Sequence, residues 1–285
     1  MEGIAKRRKS PKEQLKRFLL YTMLMGIALT CLFPLYWLIR SSFMSSEEIF
    51  GRLTTHWLPE KLLWDNFYFA LTTQPFGRYF LNTVFLVGMN LLGNLFSSSW
   101  SAFGFARIDF KGRSFWFACV LLTMMIPGTV LLIPQFIMWN QMGFYDTYVP
   151  LIAPAFLLNG FNIFLLRQFF QGIPQTYDEA ARLDGAGYIQ IYARILLPLS
   201  KPAMMTIGVF TFMGTWNDFM SPLIYLKTKL KYNLSLGLQA FLGEYVSQWN
   251  YLMAASTVVI LPMIIVFFFA QKYFIEGITF SGLKG

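Results

Sequence analysis

Residues 176–198, TYDEAARLDGAGYIQIYARILLP, form the most polar stretch in the second half of the chain and lie between two long apolar runs. Thr176 and Glu179 stand in T-x-x-E spacing, the spacing of a capping box, so a helix is expected to start there. Asp178 and Glu179 place negative charge where the helix dipole favours it. Ala180 and Ala181 follow, both small and both good helix formers. Gly185 and Gly187 then allow a sharp turn. A second, amphipathic helix is expected from Tyr188, with Ile191, Tyr192, Ile195 and Leu196 on one face, and Pro198 is expected to stop it. Two short helices joined by a turn and held between apolar runs have the shape of a docking element.

The flanking runs decide the fold class. Of 285 residues, 56% are hydrophobic and only 13% are charged, against about a quarter charged in soluble domains. Lipid imposes such a shortage, because a charge at the bilayer centre costs roughly 3 kcal/mol or more. The net charge of +9 raises the question of nucleic acid. The charges sit in tails and loops between apolar runs, however, which is the pattern of membrane orientation. The chain therefore reads as an all-α polytopic membrane protein with six transmembrane helices. A basic tail (1–17) precedes a membrane domain (18–272) with spans at about 18–40, 79–106, 114–140, 147–167, 202–226 and 247–271. A polar loop at 171–201 interrupts the domain and a tail at 273–285 follows it. Phe18 to Ile39 is long enough to cross about 30 Å of hydrocarbon. No small-residue cleavage site follows, so it reads as a retained span rather than a signal peptide.

Within the spans, polar and small residues mark helix–helix contact. The second span carries Asn82, Asn90, Asn94, Ser97 to Ser99, Gly88, Gly93 and Gly104, a composition that suits packing against other helices better than lipid. Pro127 and Pro134 fall in the middle of the third, which is expected to be a kinked span packed against neighbours. Trp57, Trp64 and Tyr68 suit an interfacial belt or a short interfacial helix. The segment 227–250, with three lysines and two glycines, permits a passive connector.

Six spans put both termini on one side. If that side is inside, the inner segments hold sixteen of the 23 Lys and Arg residues. The positive-inside rule then places the termini and the 176–198 stretch in the cytoplasm. Several chemistries are missing. There is no G-x-x-x-x-G-K-[ST] loop, so the chain shows no means of binding ATP. His56 is the only histidine, which excludes a histidine-rich metal site, and no paired carboxylates or G-x-S-x-G appear. Cys31 and Cys119 fall in separate spans and form no C-x-x-C.

Glu179-Ala180-Ala181, Asp184-Gly185-Ala186 and Ile195-x-Leu197-Pro198 resemble the EAA loop of binding-protein-dependent ABC transporter permeases. The resemblance extends over nearly the whole chain. Thr215-Trp216-Asn217-Asp218-Phe219 with Pro222-Leu223, and the terminal YFIEGIT and GLKG, are similar to the carbohydrate branch, the maltose-type inner permeases. The resemblance implies a type I importer fold in the bacterial or archaeal cell membrane. It implies a second permease subunit, two cytoplasmic ATPase subunits that use ATP and Mg, an extracytoplasmic solute-binding protein and surrounding lipid as partners. No cofactor or metal would be held by this chain and no hydrolysis catalysed by it. Glu179, Ala180, Ala181, Asp184, Gly185, Ile195, Leu197 and Pro198 would form the ATPase-coupling element. The 227–250 loop resembles the external loop that reaches the binding protein.

Sugars are held by amides and aromatic faces, which makes Asn159, Asn162, Trp216, Asn217 and Asp218 candidates for the translocation path. For Asp218 a structural carboxylate stands beside that role, and for Glu179 a purely local capping role does. A solute other than a sugar, such as a polyamine or phosphonate, remains an alternative cargo. An ion-coupled secondary transporter would need intramembrane carboxylates and usually an internal repeat, and only Asp218 qualifies.

Overall fold

The computed structural model describes residues 11–51, 57–157, 159–243 and 248–282. The expectations placed on Lys6 to Lys9, His56, Glu244, Tyr245 and Lys284 lie outside these residues. Among the described residues there are helices and no strands. Four helical stretches, Pro11–Ser42, Phe76–Arg107, Val149–Gly172 and Trp249–Gln271, are long and apolar enough to cross a membrane, and the number rises to six if each of two bent pairs is one span. The chain is a multi-pass all-α membrane protein.

Two bodies can be distinguished. The first comprises residues up to Ala70 together with Phe241–Val258. It contains α1 (Pro11–Ser42), α2 (Ser46–Phe50), most of α3 (Asp65–Thr73) and the start of a later helix. α1 begins seven residues before its apolar run, and its side chains from Leu15 to Leu32 are exposed on every face, as suits a helix bathed in an apolar medium. Buried Asn66 ties this body together. Its amide donates to the Ser42 and Met44 carbonyls at 3.0 and 2.9 Å, and its oxygen accepts from Asn250 at 2.9 Å.

The second body comprises Leu71–Ala240 and Val259 onward. Its elements are α4 (Phe76–Arg107), α5 (Arg113–Met124), α6 (Gly128–Gln141), α7 (Val149–Phe156), α8 (Gly160–Gly172), α9 (Thr176–Leu183), α10 (Tyr188–Ile191), a π-helical turn (Tyr192–Leu196), α11 (Leu197–Leu199), α12 (Lys201–Trp216), α13 (Met220–Tyr225) and α14 (Leu234–Leu238). The last helix, α15, runs from Trp249 to Gly282, so it continues through most of the stretch read as a C-terminal tail. α4 is the axis of this body, packing against α7, α8 and α12.

The polar residues of α4 explain the packing. Asn90 donates to the Leu151 carbonyl at 3.1 Å, and Ser97 donates to the Ala155 and Leu157 carbonyls, both at 3.1 Å. Those carbonyls belong to α7 and the break after it, where the helical ladder ends and bare acceptors at membrane depth need partners. Gly93 lets α7 approach: a Cβ there would lie 2.8 Å from the Phe156 ring. Gly88 and Gly104 meet nothing comparable. Over the third expected span, residues 114–140 form two helices bent by 98° at the break between them, a sharper bend than a kink. Pro127 causes the break, sitting in extended conformation as the N-cap of α6, whereas Pro134 stays inside α6.

Candidate functional site

The 176–198 stretch is built from two short helices and a turn that physical chemistry closes tightly. After the last turn of α9, Gly185 adopts φ +83°, a left-handed conformation that costs other residues roughly 1–2 kcal/mol. The Gly185 N–H donates to the Arg182 carbonyl at 3.0 Å and the Ala186 N–H to the Ala181 carbonyl at 2.9 Å. This pair of bonds is the Schellman arrangement. It explains why the glycine stands four residues after the second alanine: Ala181 and Gly185 occupy fixed positions of one C-cap. Gly187 has φ −78°, which any residue adopts, so only Gly185 is needed for the turn. α10 starts with half a capping box, Gly187 N–H donating to Gln190 Oε1 at 3.0 Å.

Two local expectations are corrected. Thr176 and Glu179 make no capping box. The N-cap is Gln175 in helical conformation, with no side-chain cap; a capping side chain needs an extended N-cap. Pro198 does not stop the helix. It lies within α11, and the chain turns by 76° only at Ser200, before α12. Proline removes the bond to the residue four back and crowds that turn. The π-helical turn just before it widens the spiral, with Leu197 N–H donating to the Tyr192 carbonyl.

The segment hangs from the C-terminal end of α4. Ala181, Ile191, Tyr192 and Leu196 are buried in one cluster with Ala102, Phe103 and Ala106 of α4 and Ile173 after α8. The Tyr192 hydroxyl shares a 2.8 Å hydrogen bond with Ser99, and its ring packs edge-on to Trp100 at 5.1 Å. Sequence reading did not find the ion pair that joins the segment to α4. Asp178, taken as a dipole residue, is buried and pairs with Arg107, the last residue of α4, at 2.9 Å, their side chains 8% and 4% exposed. Arg107 also donates to the Ile173 carbonyl at 2.7 Å. An acid in the first turn of a helix and a base 71 positions earlier carry no spacing signal.

The opposite face is open. Glu179, Ala180, Asp184, Gly185 and Pro198 are exposed; Ile195 and Leu197 are half-buried; Ala181 is buried. Around them Leu183 is 90% exposed, Ile189 67%, Tyr177 53% and Tyr188 49%. An apolar group of this kind on a short polar hairpin marks an interaction surface. Leu183, Ile189 and Tyr177 were not singled out from sequence.

The five path candidates are not brought together. Asn159 is exposed in the break between α7 and α8 and caps α8, accepting from Asn162 N–H at 3.1 Å; Asn162 is buried and donates to Asn94 at 3.2 Å. Trp216 is buried, donates from its indole to the Val259 carbonyl at 3.1 Å and stacks on Phe212, which is a packing arrangement. Asn217 is exposed and bonds its own helix at the Met213 carbonyl. Asp218 alone lines a cavity, of about 100 Å³.

Above that cavity the supposed connector is a built structure. Residues 227–240 pack on the N-terminal end of α4. Asn82 donates to the Leu230 and Tyr232 carbonyls at 2.8 and 2.9 Å, and Thr83 accepts from Leu234 N–H at 2.9 Å. Gly237 lies so close to Tyr79 that a Cβ would fall 2.4 Å from the ring. Asp146 sits at φ 56° and accepts from the Lys227 and Thr228 N–H groups at 2.9 and 3.0 Å, the Thr228 hydroxyl at 2.6 Å and Lys231 Nζ at 3.0 Å. Burial pushes its carboxyl up, but these donors outweigh it and hold the pKa well below the usual carboxylate range.

Residues 93–279 match the family model described as "Binding-protein-dependent transport system inner membrane component". The chain is similar to the arabinooligosaccharides transport system permease protein AraQ of Bacillus subtilis (strain 168), 34% identical over 280 residues, covering 98% of this chain and 99% of that one. It is also similar to the trehalose/maltose transport system permease protein MalG of Thermococcus litoralis, 31% identical over 279 residues, covering 96% and 99%. Among solved structures, a chain of a bacterial ABC transporter involved in the import of the acidic polysaccharide alginate matches with a TM-score of 0.82 at 24% identity, covering 94% of this chain and 100% of that one. At that identity the likeness concerns the fold.

Proposed function

Because this chain belongs to the family of binding-protein-dependent transport system inner membrane components, we propose that it is the permease subunit of an ATP-driven importer carrying a sugar or oligosaccharide. The sugar assignment is supported by relatives named as arabinooligosaccharide and trehalose/maltose permeases. The remaining parts are a second permease subunit, two cytoplasmic ATPase subunits and an extracytoplasmic solute-binding protein. ATP and Mg are used by the ATPases, not by this chain.

The observation that carries the mechanism is the α9–α10 hairpin, with one face buried against α4 and an apolar face open around Leu183. Charge counting supports its placement in the cytoplasm, with both termini. An ATPase surface seated on Leu183, Ile189 and Tyr188, with Glu179, Ala180 and Asp184 at its edge, would move the hairpin as the ATPases close. Ala181, Ile195, Leu197 and Pro198 would carry that movement into α4 and α12. Gly185 sets the angle between the two short helices, and a shift of that angle is what the segment can transmit.

Leu183→Asp tests this. Leu183 is exposed, so the substitution leaves folding within about 0.5 kcal/mol. The variant should insert normally, fail to retain an ATPase subunit on purification, and lose uptake at least about tenfold, since an apolar anchor is worth more than 1.4 kcal/mol in a docking surface. Normal uptake with normal ATPase retention would overturn the docking assignment. Uptake driven by an ion gradient after ATP depletion would overturn the importer reading in favour of a secondary transporter.

A further inference from the structure

The cavity beneath residues 227–240 is walled by Leu86 and Leu151 and carries four polar residues, Asn90, Thr215, Asp218 and Asn233. Their hydrogen bonds reveal which capacity remains. Both polar atoms of the Asn233 side chain are engaged: its amide nitrogen donates one N–H to the Asp218 carbonyl at 2.6 Å and its oxygen accepts from Leu236 N–H at 3.0 Å. Asn90 has spent its donors on the Leu86 and Leu151 carbonyls, which leaves its amide oxygen. Asp218 accepts one bond, from Ser221 N–H at 3.1 Å, whereas a carboxylate offers about four lone-pair positions. Thr83, Thr206 and Thr257 each donate to the carbonyl four residues back. Thr215 makes no side-chain hydrogen bond among the described residues.

The lining is therefore dominated by acceptors, with one free hydroxyl, and no lysine or arginine lines it. Asp218 is half-buried, and a carboxylate beside an unengaged amide oxygen takes hydrogen-bond donors from whatever enters the cavity. About 100 Å³ corresponds to roughly three waters at liquid density, enough for the edge of one ring and not for a whole oligosaccharide. We propose that this cavity is a hydroxyl-binding subsite on the translocation path. In it the Asp218 carboxylate accepts two hydroxyls of a neutral sugar's vicinal diol, and Asn90 and Thr215 engage a neighbouring hydroxyl. This inference rests on the importer reading above and adds a specificity: a uronic acid at this position meets Asp218 as a like charge and is rejected.

The test uses the assembled importer in membrane vesicles, with Cys31 and Cys119 replaced by serine and Thr215→Cys introduced. A charged methanethiosulfonate reagent reports access to the cavity. Millimolar arabinotriose or maltotriose should slow labelling at least about fivefold, consistent with two charge-assisted hydrogen bonds, and trigalacturonate should not. Asp218→Asn should remove the protection. In the otherwise native chain, that isosteric change still accepts from Ser221 N–H and should raise the uptake KM for the carried neutral sugar about tenfold, with kcat changed less. Protection by neither neutral sugar, equal protection by trigalacturonate, or an unchanged KM overturns the subsite. Protection by sodium chloride and not by potassium chloride would identify a cation site instead and also overturns it. Binding-protein-stimulated ATP hydrolysis is read on the same preparation. If hydrolysis is intact and protection is absent, only the subsite falls; if stimulation is absent in the unmutated importer, the importer reading falls.

Discussion

At its C-terminal end α4 holds the 176–198 segment by one buried ion pair set in apolar packing; at its N-terminal end, about 48 Å away, it holds residues 227–240 by several neutral hydrogen bonds. The chemistry suits different duties. Asn82 and Thr83 take up backbone groups of residues 227–240 one by one, so the attachment is spread over many weak links and yields gradually. The 176–198 segment has apolar side chains that can slide and a single charged link to α4, Arg107 to Asp178. An ion pair of this kind adds little net stability, because desolvation offsets attraction, but breaking it strands a charge. It is a position lock rather than glue. A segment that must move as a unit is better served by such a lock than by a row of hydrogen bonds.

The contrast can be broken first at the C-terminal end of α4. Arg107→Ala leaves Asp178 buried without its partner and should cost about 3–5 kcal/mol. The expected outcome is a chain that still inserts but whose 176–198 segment is cleaved by protease in opened vesicles and whose uptake is lost. Arg107→Leu combined with Asp178→Leu removes both charges. If the pair acts as a position lock, the double variant should regain protease resistance and much less of the transport. Full recovery of uptake would show that apolar packing alone positions the segment.

At the N-terminal end of α4 the sensitive point is steric rather than ionic. Gly237→Ala places a methyl group 2.4 Å from the Tyr79 ring. Overpacking of this sort costs about 1–3 kcal/mol, less than the stranded charge. Tyr79 is itself buried, so the ring cannot turn away freely. The lower melting temperature expected for Gly237→Ala should return when Tyr79→Leu is added, because the leucine removes the clashing ring atoms. No rescue would mean that residues 227–240 are held by their hydrogen bonds alone.

What was legible in the sequence at each end follows from the same chemistry. The membrane spans were readable because lipid forbids charge over long runs. The turn at Gly185 was readable because only glycine occupies that conformation cheaply. Ile191, Tyr192 and Leu196 could be assigned to one face from helical spacing. The Arg107–Asp178 pair was not readable, since 71 residues separate the partners and each has a sufficient local role. Residues 227–240 read as a connector because they are held through their own backbone carbonyls and N–H groups, which every residue has and no sequence displays. Pro127 and Pro134 illustrate the limit: one stands at the start of a helix and one stays inside it, and residue type alone does not tell them apart. Within the proposed path, Trp216 and Asn217 drew attention by type. Thr215 and Asn90 are distinguished only by hydrogen bonds they do not make.

The smallest effect should appear at Asp146, which forms an ion pair with Lys231 of the 227–240 segment. Its pKa is depressed, so its contribution is present above the unfolded-state value of about 3.9 and is lost as pH falls below it. Lys227, Thr228 and Lys231 would then be released together. Hydrogen-exchange protection factors for the Lys227 and Thr228 amides should be constant from neutral pH down to about 5 and decline below about 4. Asp146→Asn should show the reduced protection at every pH, with no such step. The carboxylate is partly exposed and screened, so the change should stay local to these amides and leave Leu234 N–H, bonded to Thr83, protected. An acid step at Leu234 as well would mean that residues 227–240 depend on one charged contact after all, and the distinction between the two ends of α4 would disappear.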